Sequence, residues 1–156
     1  MKRVSLTWLV LIQWVLAFEW LHSGWGKWAE SGFIDNISKT LQTFAAKTPY
    51  TSYGEFLTSI AVPNADLFGN LIRLGEMGVG LALAIGGIWL VYKKTIPSYV
   101  VAILVIASIG GALMNLNFFL ASGWSSPSTW GLNLLMFSVH VIFAIYYIVN
   151  RKEISS

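Results

Sequence analysis

The chain has 156 residues, of which 56% are hydrophobic and only 11% charged, and its mean hydropathy is +0.66. Soluble domains carry about 25% charged residues, so this composition excludes a soluble globular fold, and the length allows a single domain. Ten basic residues against seven acidic ones leave +3 with no basic stripe, which argues against nucleic acid, and the absence of cysteine excludes disulfides, thiolate metal sites and cysteine nucleophiles.

A helix crossing a bilayer needs about 20 apolar residues. The first such run covers residues 4–21 and follows Lys2-Arg3. Phe18-Glu19-Trp20-Leu21-His22 offers no small-x-small cleavage site, so the run is expected to stay as a helix and not to leave as a signal peptide. The connection over residues 23–66 is too long for a plain turn. Within it Ile34, Ile37, Leu41 and Phe44 recur at helical spacing, and Tyr50, Tyr53, Phe56, Leu57 and Ile60 form a second stripe ended by Pro63. Both stripes predict helices that cover the bundle mouth, leaving Lys39, Lys47 and Glu55 outside. The second run covers 67–92 and is closed by Lys93-Lys94. The third covers 98–121 and is opened by Pro97, and the fourth covers 130–149 and is closed by Arg151-Lys152. The expected fold is therefore an all-α membrane protein: one four-transmembrane-helix bundle over residues 1–156, with an extracytoplasmic helical loop between helices one and two.

Basic residues collect on the side of Lys2, Arg3, Lys93, Lys94, Arg151 and Lys152, which places both termini in the cytoplasm of a multi-pass cell-membrane protein. Gly78, Ala82 and Gly86, with Gly75 and Gly87 nearby, and Ala107 with Gly111 on helix three, read as small residues that let helix backbones approach.

Ionisable residues inside spans are costly and default to a functional hypothesis. Here they are Glu19, Arg73 and Glu76, joined by His22, His140, Gln13, Asn70, Asn115, Asn117 and Asn133. With the termini inside, most of these fall in the outer half of the bundle. Arg73 and Glu76 share a helix face, and Arg73 is expected to pair with Glu76 or Glu19 toward the interior. The plain alternative is a polar clamp that fixes helix register. His140 lies near the midplane, where a bond to a carbonyl on a neighbouring helix is favoured over a five-coordinate haem. No metal-ligand spacing, phosphate loop or dinucleotide fingerprint is present.

Three stretches carry a family likeness: His22-Ser23-Gly24-Trp25-Gly26-Lys27, the run from Arg73-Leu74-Gly75-Glu76 to Leu83, and the run from Met114-Asn115-Leu116-Asn117 to Gly123. In order and spacing the chain resembles the DoxX/DoxD family of small four-helix membrane proteins, and its long aromatic loop is more similar to the DoxD branch. That resemblance implies a subunit of thiosulfate:quinone oxidoreductase, which oxidises thiosulfate to tetrathionate, reduces a membrane quinone and acts with a DoxA-like partner. By motif position it singles out Trp25, Lys27, Arg73, Glu76, Asn115 and Asn117. The chain departs from the family in having no Gly-rich, Asp-containing tail after helix four and no fused DoxA-like domain.

Reduction of a quinone needs hydrogen-bond donors to its carbonyls and proton donors such as Glu or His. Glu76, Arg73 and His22 are accordingly the candidate catalytic residues, and Trp25, Lys27, Asn115 and Asn117 the candidates for holding the quinone, with no metal. Trp28, Phe118, Phe119, Trp124 and Trp130 offer aromatic walls. The expected partners are membrane lipids, the quinone and a DoxA-like or other subunit docked on the loop. The competing reading is a non-catalytic accessory subunit of a larger respiratory or other membrane complex.

Overall fold

A computed structural model describes residues 3–93 and 96–155. Lys2 and Lys94, on which the orientation argument partly rests, lie outside the described residues. Among the described residues seven α-helices follow one another: α1 Arg3–Ala29, α2 Phe33–Lys47, α3 Thr51–Phe56, α4 Ala65–Tyr92, α5 Ser98–Ser122, α6 Pro127–Val149 and α7 Arg151–Ser155. Helix α3 runs on into a π-helical turn over Leu57–Ala61, and a short 3-10 turn over Gly123–Ser125 links α5 to α6. No strand occurs among the described residues. Among the described residues four helices (α1, α4, α5 and α6) are long and apolar enough to cross a membrane.

The buried stripe of α1 sets its orientation. Val10, Gln13, Leu16, Ala17, Trp20 and Gly24 recur at three- and four-residue spacing and face inward. Large apolar residues on the other face, such as Trp8, Val15 and Phe18, are more than 60% exposed, as a lipid-facing surface requires. Helix α1 packs along α4, α4 along α5, and α5 along α6. The small residues permit this, but not all at the expected positions. Gly80 takes Leu21, Gly87 takes the Trp14 indole and Gly86 takes Leu104, whereas Gly78 faces open space.

Between α1 and α6 two side-chain hydrogen bonds form a ladder. Trp20 Nε1 donates to His140 Nε2 at 2.7 Å, and the Tyr147 hydroxyl donates to Gln13 Oε1. Each helix contributes residues seven apart, so one face of each meets the other antiparallel. Gln13 Nε2 also donates to the Leu83 carbonyl at 2.6 Å, which ties α4 into the seam. Such interhelical bonds in lipid contribute about 0.6 kcal/mol on average and up to about 1.7. Tyr147→Phe should therefore cost about 1 kcal/mol; an unfolding titration in bicelles that gives no loss would show the bond contributes nothing.

The connection between α1 and α4 departs from expectation at its start. Residues 23–29 continue α1 by two turns and do not begin the loop. Glycine at positions 24 and 26 disfavours helix intrinsically, but Gly24 lies against Met77 and the Glu76 Cβ, and this packing outweighs the propensity. The chain then turns at Gly32, whose φ of 99° belongs to the left-handed region that glycine enters without strain. Helices α2 and α3 form the expected cap. Ile37, Leu41, Leu57, Ala61 and Ala65 make its core, packed with Phe33, Phe44, Phe56, Phe68 and Ile72. Thr48 Oγ1 donates to the Leu120 carbonyl at 2.7 Å and fastens the cap to α5. Lys39 and Glu55 are exposed as expected, whereas Lys47, also exposed, reaches back over the Trp124 ring at 5.2 Å from its centroid, and Ile60, expected in the buried stripe, is exposed too.

Candidate functional site

The Glu76 carboxylate, 1% exposed, is the most buried acid among the described residues, and its partner is Lys27. Lys27 Nζ donates to both Glu76 oxygens at 2.9 and 2.8 Å and to Ser23 Oγ at 2.8 Å. Ser23 and Lys27 lie one turn apart on the end of α1 that was expected to be loop. Extending that helix is therefore what brings the ammonium to the carboxylate.

Arg73 pairs with neither Glu76 nor Glu19. Its Nη2 donates to Asn70 Oδ1 at 2.6 Å, its guanidinium carbon sits 4.0 Å from the centroid of a Trp28 ring, and its Nε has no acceptor. Glu19 is exposed because it falls off the buried stripe of α1 by one position before Trp20. Sharing a helix face three residues apart did not decide the pairing, because Lys27 approaches Glu76 from α1 with Ser23 as a third contact.

The remaining expected site residues do not converge. His22 is exposed and stacks on Phe18, with ring centroids 5.8 Å apart, and Trp25 is 67% exposed. The four asparagines share one habit: Asn70, Asn115, Asn117 and Asn133 each donate to the carbonyl four residues back on their own helix, at 2.7–3.0 Å. This local bond satisfies one amide N–H of each side chain without help from a neighbouring helix, and leaves the amide oxygens of Asn70 and Asn117 to accept from Arg73 and Tyr53. His140 is fully buried and accepts from an indole N–H where a carbonyl partner was expected. With Nε2 accepting, the neutral ring carries its proton on Nδ1, which has no partner. Because Nε2 is engaged and the ring lies against Gly111, the residues around His140 do not fit a haem.

A cavity of about 240 Å³ lies between the cap and the cap ends of α4 and α5. Its walls include Leu41, Phe44, Phe56, Phe68, Ile72, Met114 and Phe118, with Tyr53 and Asn117 as polar members. The Tyr53 hydroxyl donates to Asn117 Oδ1 at 3.1 Å. Burial pushes the Tyr53 phenol up to about 12, so it stays a neutral donor at any physiological pH. Of the candidate catalytic and quinone-holding residues only Asn117 lines this space, joined by Phe118 from the expected aromatic walls. Phe68, Ile72 and Glu76 nonetheless recur at four-residue spacing on α4, which puts the carboxylate one turn deeper than the wall residue Ile72. A wider recess of about 750 Å³ opens at the opposite end of the bundle, bounded by Leu6, Leu90, Lys93, Asn150 and Glu153, and includes none of the expected site residues.

Sequence reasoning missed the roles of Ser23 and Tyr53, placed Trp28 in a pocket wall where it instead carries Arg73, and missed the pairing of Trp20 with His140 and Gln13 with Tyr147. The seven-residue spacing of polar residues on otherwise apolar stripes was the available signal for the last two pairs. No known protein family, curated protein or solved structure matches this chain.

Proposed function

We propose that the chain is a membrane subunit of a quinone-linked oxidoreductase, with the quinone head group held in the cavity beneath the cap. The observation that carries the proposal is that cavity: aromatic and aliphatic walls, a neutral tyrosine hydroxyl and an asparagine amide on one side, and a buried carboxylate one helical turn deeper. Its volume, just under the roughly 300–1,000 Å³ of drug-sized pockets, suits one substituted ring. In this proposal Tyr53 turns its hydroxyl from Asn117 to a quinone carbonyl. Glu76, held by Lys27 and Ser23, exchanges protons with the site, while Arg73, His22, Trp25 and Asn115 take no direct part.

The proposed reaction takes two electrons and two protons to convert the quinone to its quinol. The DoxD resemblance offers the donor: two thiosulfate ions joined through a new S–S bond as tetrathionate release those two electrons. The cap would then face the outside, both termini the cytoplasm, and a DoxA-like partner would meet the exposed polar face of α2 around Lys39 and Gln42.

Titrating a short-tailed quinone into the protein in nanodiscs tests the assignment. Met114→Trp should fill the cavity and abolish binding. Tyr53→Phe should weaken binding about tenfold, the effect of losing one hydrogen bond of about 1–1.5 kcal/mol. Unchanged affinity in Met114→Trp would remove the quinone from this cavity. The second reading, a non-catalytic accessory subunit, is favoured by the asparagines, whose amide N–H groups all close on their own helices. Quinone binding by the isolated protein would count against it.

A further inference from the structure

We infer that Arg73, shelved on Trp28, is an anion site at the membrane interface on the cap side of the bundle, and that its ligand is the phosphodiester group of a phospholipid. The charge balance supplies the first reason. Lys27 and Glu76 neutralise each other with both carboxylate oxygens engaged, and among the described residues Arg73 meets no carboxylate. Its single acceptor is a neutral amide, Asn70 Oδ1, and its Nε is buried without one, so the terminal nitrogens are the ones left to meet a ligand. A guanidinium without a counter-charge at the edge of a bilayer calls for an external anion, and its donor fork matches phosphate oxygens.

Position supplies the second reason. Trp28 and Trp25 are 46% and 67% exposed on the last turns of α1, as tryptophans at a headgroup belt are, and the ring contact sets Arg73 level with them. The flank of Arg73 on α4 is Leu74, 56% exposed. A soluble anion has no use for that apolar flank, whereas a lipid lays its acyl chain along it. The Trp28 ring on one side and Asn70 on the other fix the guanidinium before any ligand arrives, which lowers the ordering cost of binding.

Native mass spectrometry of the full chain, offered phosphatidylglycerol or a diacylglycerol with the same acyl chains, tests this. The wild type should retain phosphatidylglycerol and not the phosphate-free lipid. Arg73→Gln should retain about fivefold less, the effect of one basic residue near a charged lipid surface. Trp28→Leu, which keeps the charge but removes its shelf, should also lose lipid, and it stands in if Arg73→Gln fails to fold. Lys39→Gln, on the exposed face of α2, should match the wild type. Equal retention of diacylglycerol, or undiminished phosphatidylglycerol in both Arg73→Gln and Trp28→Leu, would overturn the site. Displacement of the lipid by millimolar inorganic phosphate would overturn the lipid assignment in favour of a soluble anion.

Discussion

Replacing Lys27 with methionine should destabilise the bundle by about 3–5 kcal/mol, the usual cost of leaving a buried charge without its partner. Glu76 is 1% exposed and receives two of its hydrogen bonds from Lys27, so truncating the ammonium strands a carboxylate against Gly24 and Met77 with only Ser23 nearby. The double variant Lys27→Met with Glu76→Leu should recover most of that loss, because an apolar pair of similar volume avoids the desolvation of both ions. Unfolding in bicelles across the double-mutant cycle checks this. A coupling energy below about 0.5 kcal/mol would mean that the pair contributes no more than distant, independent sites do.

Gly111→Ala should be the second large effect, at about 1–3 kcal/mol, the range for overpacking a closed core. A Cβ at Gly111 would stand 2.5–2.8 Å from three atoms of the His140 ring. That ring has no freedom to retreat, since Trp20 holds Nε2 and the side chain is fully buried. Combining the change with His140→Ala should relieve the clash, leaving the cost of the emptied site and the lost Trp20 bond. If Gly111→Ala alone leaves stability unchanged, the approach of α5 to α6 is looser than the ring contact implies.

The four long helices and the cap were legible because both rest on apolar periodicity. The inward stripe of α2, Ile37 and Leu41, follows directly from the i, i+4 pattern. Pairing was less legible. Arg73 and Glu76 suit each other by helix spacing, yet the carboxylate belongs to Lys27. That choice depends on α1 continuing as helix through Gly24 and Gly26, which local propensity disfavours and packing against α4 permits. The asparagines misled for a related reason. An amide inside a span looks like a ligand to be explained, but each one here satisfies its own helix at the fourth residue back, a solution available without any neighbour. Tyr53 went unmarked as a site residue because in sequence it is one apolar position among five. Only the fold of the cap over Asn117 turns its hydroxyl into a polar member of an otherwise apolar cavity.

The cap also sets how a partner should be sought. Removing residues 35–47 would take Ile37 and Leu41 with it and open the cavity roof, so loss of a partner in that variant would not separate docking from folding. Charge reversal at the exposed Lys39 leaves the cap core intact and isolates the docking surface.

The most direct measurement is photolabelling in native membranes with an azido-quinone, followed by mapping of the labelled peptides. A head group held beneath the cap predicts labels on Tyr53 to Leu57 of the α3 segment and on Met114 to Phe118 of α5, with competition by excess unmodified quinone. Competed label confined to the opposite recess, around Leu6, Leu90 and Asn150, would contradict a quinone site beneath the cap.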